Sequence, residues 1–143
     1  HWGMQEVSML LESLAPSHGR DFVERIKSRL VSLRKMVQEE EDAEADLAPD
    51  SLRAFVEFLR RIPGVRQPNI GLTSEGEIYA RWKGDGAELF AVHFLSGEKV
   101  RFAAFRPNPR YPRLVQRLSG VDAADTVVGI AHDACAVLDW VMP

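Results

Sequence analysis

The chain has 143 residues, of which 45% are hydrophobic and 27% are charged, and this length suits one domain or one domain with a helical extension. Such a composition excludes a wholly disordered chain. The net charge of −3 argues against attraction of the whole surface to nucleic acid or to anionic membranes, although a local basic patch can still bind either.

The beginning of the chain and its single cysteine set further expectations. Residues 1–3 precede Met4, the expected start, and are interpreted as a cloning remnant. No basic region followed by an apolar run opens the chain, so no signal peptide is expected. Cys135 has no second cysteine to pair with, which favours a cytoplasmic location. No apolar run reaches the roughly 18 residues of a membrane span, so no membrane association is predicted.

Residues 4–41 are predicted to form a helical arm. A short amphipathic helix is expected to end before Pro16, because four apolar residues precede the proline at helical spacing. These are Val7, Leu10, Leu11 and Leu14. A second helix is predicted over 21–41 from a seam with spacings of 3, 4, 3 and 4 residues, which is typical of coiled coils.

This seam consists of Val23, Ile26, Leu30, Leu33 and Val37. An apolar stripe on an arm needs a cover, which leaves two alternatives open. The arm packs as a helical hairpin on its own domain, or it pairs between chains as a homodimer through residues 21–41.

The run "EEEDAEADLAPD" holds seven acidic residues in twelve and predicts a solvated acidic linker over 42–48. It lacks the glycine and the spaced oxygen ligands of a calcium loop, so no metal site is predicted there. Residues 49–143 are then expected to form the α+β domain. Pro49 and Asp50 suit the first turn of a helix over 49–62.

Four strands are predicted next, separated by three short turns that carry glycine, as in "TSEGE", "KGDGA" and "LSGE". Connections this short require an antiparallel meander. Four apolar residues are expected to lie between the meander and the helix over 49–62. They are Ile78, Trp82, Phe90 and Phe102. The third strand is apolar on both faces, which predicts a central strand covered on both sides.

After the fourth strand the sequence predicts a proline-rich extended connector and a short helical turn around 113–118. A last helix is expected to begin with Asp122 as its N-cap. The predicted fold class is therefore α+β: a four-stranded antiparallel meander covered by helices, with an N-terminal helical hairpin or arm and a C-terminal helix.

The last helix carries His132, Cys135 and Asp139, residue types used in nucleophilic catalysis. Helical spacing places His132 and Asp139 on a strip nearly opposite the apolar residues, and catalytic triads draw their members from separate segments. No metal-ligand pair, Cys-x-x-Cys or phosphate-binding loop occurs. The sequence predicts no catalytic residue, metal or cofactor, and it favours a protein that is not an enzyme.

The run "RFAAFRPNPRYPRLVQR" contains five arginines and no acidic residue, in a chain that is acidic overall. Its candidate partner-binding residues are Arg101, Arg106, Arg110, Tyr111, Arg113 and Arg117. Arginine with interleaved aromatic residues suits an acidic protein partner, in which arginine and tyrosine act as anchors. It also suits nucleic acid. A third alternative is internal pairing with the acidic residues at 39–50.

The segment from residue 52 to about residue 106 resembles a loose group of small uncharacterised bacterial proteins. The shared pattern is a helix ending in a Phe-Leu-x-x-Leu-Pro-like run, a Pro-x-Ile strand and an Asp-Gly-x-Ile-x-x-x-Trp strand. Here it is written "FLRRIP", "PNI" and "EGEIYARW". The matching residues are Pro68, Ile70, Gly76, Ile78 and Trp82. Glu75 stands where the group has aspartate, and "EEEDAEAD" replaces its Trp-Asp-Gly element.

Members of this group sometimes accompany toxin-like genes, so the resemblance implies an antitoxin-like or regulatory partner and supplies no catalytic residue. The first hypothesis is thus a non-enzymatic protein-interaction module that binds through the helical arm and the arginine-rich edge. The second is a nucleic-acid-binding protein that uses the run from Arg101 to Arg117. The third is a small-ligand-binding protein or enzyme with a pocket between sheet and helices, and with His93 or Tyr79 as polar contacts.

Overall fold

A computed structural model describes residues 3–39, 46–84, 86–95, 97 and 99–133. The elements in chain order are α1 Met4–Glu12, α2 Ala15–His18, α3 Arg20–Glu39, α4 Pro49–Arg60, β1 Asn69–Leu72, β2 Ile78–Lys83, β3 Leu89–Phe94, β4 Lys99–Pro107, β5 Val115–Ala123 and α5 Ala124–Asp133. The strands form one antiparallel sheet in the order β1-β2-β3-β4-β5, which confirms an α+β fold built on a meander.

The sheet has five strands, so the prediction of four was too low by one. β5 pairs with β4 along its full nine residues, from Pro107↔Val115 to Lys99↔Ala123. The helical turn expected around 113–118 is therefore wrong. Asp122 lies inside β5 opposite Val100, and α5 begins only at Ala124. Backbone pairing with β4 outweighs the local turn signals of this segment.

The proline-rich connector is the hairpin loop between β4 and β5. Asn108 organises it, because its side-chain oxygen accepts hydrogen bonds from the backbone N–H groups of Arg110 and Tyr111. The Asn108 N–H in turn donates to the carbonyl of Leu114 at 2.7 Å. Asparagine commonly closes turns in this way.

The core lies between α4 and the inner face of the sheet. Ile78, Trp82, Phe90 and Phe102 are each 5% exposed or less, as the sequence predicts. From α4, Phe58 contacts three aromatic rings of the sheet, with centroids 5.6 to 6.3 Å apart. β3 is the central strand, as predicted, but its outward-facing residues are only half-buried.

The apolar stripes of α1 and α3 are buried in the same core as α4 and the sheet. All five residues of the predicted seam on α3 are less than 9% exposed. Arg29 of α3 also donates to the carbonyl of Ile70 in β1, at 3.0 Å. Of the two alternatives for the arm, the structure shows the helical hairpin that packs on its own domain. The stripe that suggested a homodimer through 21–41 is thereby covered within one chain.

Residues 46–48, the described part of the predicted acidic linker, are held in place. Arg34 is 8% exposed and donates two hydrogen bonds to the Asp46 carboxylate, at 2.8 and 2.6 Å. The turn between β1 and β2 lies against the same segment, since Ala48 N–H donates to the carbonyl of Gly76 at 2.8 Å. Gly76 has φ +82°, and a Cβ there would overlap the Asp46 carbonyl oxygen, so this turn requires glycine.

The Arg34–Asp46 pair gives stability that depends on pH. Hydrogen bonds from Arg34 and from the Leu47 N–H lower the pKa of Asp46. The stability that the ionised Asp46 contributes is therefore fully present at pH values above the ordinary aspartate pKa of about 3.9. It is lost as pH falls through the lower pKa of the folded state. We expect Asp46→Asn to cost about 1–2 kcal/mol near pH 7.

Urea unfolding at about pH 7 and about pH 3 tests this expectation, because the Asp46 carboxylate of the unfolded chain becomes protonated over that range, whereas the folded carboxylate, with its lowered pKa, becomes protonated at a lower pH. The difference between Asp46→Asn and wild type should shrink at the lower pH. A difference that is the same at both values would show that the charge of Asp46 adds nothing.

Candidate functional site

The candidate site lies on the outer face of the sheet, the face turned away from α4. Strand alternation sends one set of side chains into the core and the other set to this face. Cross-strand register then arranges the outer set in rows. One row is Tyr79, His93, Arg101 and Val121, and the next is Arg81, Ala91, Ala103 and Ser119.

The second row contains the two small residues, Ala91 and Ala103, which pair across β3 and β4. Larger side chains stand beside them, with the first row on one side and Arg117 on the other. The result is an open depression of about 380 Å³, here called the outer groove. It is lined mainly by Tyr79, Arg81, Ala91, His93, Arg101, Ala103, Arg117, Ser119 and Val121. This volume is within the range of ligand sites in proteins.

Three guanidinium groups, those of Arg81, Arg101 and Arg117, surround the alanine floor. All three residues are exposed, and none of them forms an ion pair with a carboxylate of the residues that the structure describes. Arg81 lies 5.8 Å from the centre of the Tyr79 ring, and Arg117 lies 5.7 Å from that of Phe105. Arg81 and Arg117 are thus supported by aromatic faces while their charge stays available to a ligand.

One wall of the groove is positioned by two further contacts. The Tyr79 ring lies directly over Gly71, where a Cβ would overlap the end of the ring, so a larger residue at this position would displace the tyrosine side chain. His93 Nε2 lies 3.0 Å from a carboxylate oxygen of Glu77, and the two side chains are 27% and 15% exposed. Glu77 therefore pairs with His93 beside the groove and does not reach into it as a lining residue.

The structure separates the arginine run that the sequence predicts as one edge. Arg101 lies on the face opposite Val100 and Phe102, as strand alternation predicts, and shares the outer groove with Arg117. Arg106 lies within β4 on the other face, opposite Gln116, to which its Nε donates at 3.1 Å. Strand alternation is the physical reason for this separation, because residues 101 and 106 differ in parity.

The other three candidates, Arg110, Tyr111 and Arg113, are exposed in the loop between β4 and β5. Arg110 lies 5.9 Å from the centre of the Tyr111 ring.

Sequence reasoning missed Arg81 and Ser119 as members of the site. Strand alternation predicts that Arg81 faces away from Trp82, as the structure shows, but Arg81 lies outside the arginine run, so the run gives no reason to connect it with Arg101. Their meeting depends on the register of three strands.

The third hypothesis placed a pocket between sheet and helices, with His93 or Tyr79 in it. Both residues instead line the groove on the opposite face, and buried apolar side chains of the core lie between the sheet and the helices. Of the residues on the last helix, Cys135 and Asp139 lie outside the described part, as does the side chain of His132.

Within the ranges given above, no group of three or more His, Cys, Asp or Glu side chains is placed to hold a metal ion. Among the helices described, none combines the length and the apolarity needed to cross a membrane. Comparison of the chain with protein-family models, with curated proteins and with solved structures finds no match.

Proposed function

We propose that this chain is a non-enzymatic protein-interaction module that binds an acidic segment of a partner protein in the outer groove. The observation that carries the proposal is the group of three arginines around an alanine floor, without a carboxylate partner among the described residues. Uncompensated guanidinium groups at a concave surface attract carboxylates and bind them with two parallel hydrogen bonds. The small floor leaves room for the partner's backbone and aliphatic side chains.

The features of the groove favour a protein ligand over nucleic acid. Single-stranded nucleic acids bind to surfaces on which several aromatic rings are free to stack with bases. In the outer groove the Tyr79 ring lies over Gly71 and beneath Arg81, and Phe105 lies beside Arg117. The central positions are alanine. Val121 adds an aliphatic contact, 47% exposed, of the kind that a mixed acidic and apolar peptide would cover.

An antitoxin-like or regulatory role remains the concrete form of this proposal, as the sequence resemblance implies. The groove takes the place of the predicted arginine edge as its binding surface, with Arg101 and Arg117 retained from the original candidates. The helical arm contributes less than expected, since its apolar stripe is buried in the core. A bound acidic segment would sit on a rigid sheet, which suits a module that holds its partner without changing it chemically.

Peptide binding tests the proposal directly. The probe is a short labelled peptide that alternates glutamate with valine, and the matched negative probe alternates lysine with valine. Fluorescence anisotropy at about 50 and 200 mM salt should show binding of the acidic peptide alone, and this binding should weaken as salt rises. Replacing Arg81, Arg101 and Arg117 together by glutamine should lower the affinity at least about tenfold.

A charge-matched control removes three cations from the helical side of the molecule by changing Arg25, Lys35 and Arg61 to glutamine. It should keep the wild-type affinity, which separates the groove from the effect of net charge. Equal loss in both triple variants would contradict the proposal. Submicromolar, salt-dependent binding of oligonucleotides, abolished by Arg106→Ala and Arg110→Ala, would favour the nucleic-acid-binding alternative.

A small anionic ligand is the second candidate, and the size of the groove favours it. A volume of about 380 Å³ suits a small molecule as well as part of a peptide. Titration with inorganic phosphate and with an aromatic carboxylate such as benzoate, followed by thermal unfolding, distinguishes the two. If benzoate stabilises the wild type but not the triple arginine variant, and the acidic peptide does not bind, then the ligand of the groove is a small carboxylate and not a peptide.

A further inference from the structure

The two edges of the sheet differ in how they are protected. β1 has only four residues, and Arg29 of α3 donates to its Ile70 carbonyl at 3.0 Å. β5 has nine residues, pairs with β4 on one side, and is the last strand of the sheet order. Natural edges are usually blunted by proline, lysine, bulges or a covering element. The sequence of β5, "VQRLSGVDA", has neither proline nor lysine, and its two charged residues, Arg117 and Asp122, lie on opposite faces.

Exposed aliphatic residues follow this edge on both faces. Val115 is 52% exposed and Val121 is 47% exposed, and both lie on the outer face. Leu118 lies on the inner face and is 40% exposed. A long edge strand with exposed aliphatic side chains on both faces and only two charged residues is a template for pairing with another strand.

We propose that β5 pairs antiparallel with β5 of a second copy of this chain, with the twofold axis at Leu118. In this register each residue lies opposite the residue of the second copy whose number, added to its own, gives 236. Val115 then lies opposite Val121 of the second copy, and Leu118 lies opposite its own equivalent. All three exposed aliphatic positions of the strand are covered by aliphatic partners, which is the kind of cross-strand pairing that stabilises sheets.

The neighbouring registers are worse for identifiable reasons. An axis at residue 117 places two Arg117 guanidinium groups directly opposite each other, which is repulsive. An axis at residue 119 places each Val121 opposite an arginine and leaves each Leu118 opposite Gly120. In each of these registers the twofold axis passes through a residue and the sheet is continuous across it. Because side chains alternate with period two, outer-face residues then lie opposite outer-face residues, and inner-face residues lie opposite inner-face residues.

The pairing has a consequence for the outer groove. The sheet would continue across the axis as ten strands, with Arg117 of the second copy opposite Ser119, a residue that lines the groove. Each groove would thus gain a cation from the other chain. The two Arg117 side chains take diagonal positions, roughly 7–8 Å apart, where solvent screens their repulsion. The pairing itself does not depend on what the groove binds.

A charge-swap experiment at the axis tests the register. Sedimentation equilibrium of the full chain over about a hundredfold range of concentration should show a reversible monomer–dimer equilibrium. Leu118→Lys and Leu118→Glu should each be monomeric throughout that range, because each places like charges opposite each other. An equimolar mixture of the two should dimerise again, since lysine then faces glutamate. Circular dichroism identifies any variant that fails to fold.

Val121→Lys is the second variant, and it should weaken the dimer at least tenfold, because each copy would place a lysine opposite Val115 of the other. The control is Met36→Lys, at a residue of α3 that is 57% exposed, and it should dimerise like the wild type. A wild type that stays monomeric would overturn the proposal. A dimer that survives Leu118→Lys and is lost in Met36→Lys would overturn it as well, in favour of the helical arm.

Discussion

Trp82→Ala should lower the free energy of unfolding by roughly 3–5 kcal/mol, the usual cost of truncating a buried aromatic side chain. Trp82 is 2% exposed and stacks on Phe90 at a centroid distance of 5.8 Å. Phe58 of α4 lies 6.3 Å away on the helical side. Alanine would leave a cavity between the sheet and α4 that neither layer can close, because both are held by their own backbone hydrogen bonds.

Urea unfolding of wild type and variant measures this cost. Lys83→Ala is the matched control, since Lys83 is the next residue of β2 and is exposed, and it should change stability by less than about 0.5 kcal/mol. Trp82→Phe keeps most of the ring and loses the hydrogen bond from Nε1 to the Arg66 carbonyl, and should cost about 1–2 kcal/mol. A loss below about 1 kcal/mol for Trp82→Ala would contradict the assigned facing of β2.

The facing of the strands could be predicted because one face of this sheet is buried. In β2, alternation alone assigns Ile78, Ala80 and Trp82 to the core, and the structure has all three at 2% exposed or less. The turn glycines fix the hairpins, and the short turns exclude parallel connections. These signals are local in the sequence, which is why they were sufficient for the first four strands.

β5 could not be predicted in the same way, because it has no buried face. Every residue of the strand is exposed except Gly120, which is intermediate, so no alternation of apolar and polar residues marks it. Its strand conformation comes from pairing with β4, a contact that the local sequence does not encode. The pairing of β5 with a second copy would explain why aliphatic residues occur on both faces of a strand that buries neither within one chain.

The outer groove was partly predictable. The arginine-rich run and the outward facing of Arg101 were visible in the sequence, and so was the outward facing of Arg81. The relative register of β2, β3 and β4 was not visible in the sequence. This register places Arg81, Ala91 and Ala103 in one row. The small size of the two alanines makes the depression, and nothing in the local sequence marks these two positions as facing each other.

Ser51 is a buried polar residue that sequence reasoning did not identify, and its hydroxyl joins α4 to the sheet. It is 0% exposed, donates to the carbonyl of Phe94 at 2.6 Å and accepts from the N–H of Ile78 at 2.8 Å. Since Tyr79 pairs with His93, Ile78 and Phe94 are the next two residues along that register. The hydroxyl therefore bridges the Ile78 N–H and the Phe94 carbonyl just beyond the last residue pair of the β2–β3 ladder.

Ser51→Ala removes this bridge and leaves a buried N–H and a buried carbonyl without their partner. We expect a loss of about 2–4 kcal/mol in the free energy of unfolding, because each unsatisfied buried group costs roughly 1–3 kcal/mol. The Ile78 amide should also exchange its hydrogen faster than in wild type. Ser28→Ala, at an exposed position of α3, is the matched control and should change stability by less than about 0.5 kcal/mol. If Ser51→Ala unfolds like the control and the Ile78 amide stays protected, β2 and β3 can close the ladder without the serine, and the helix is held to the sheet by apolar packing alone.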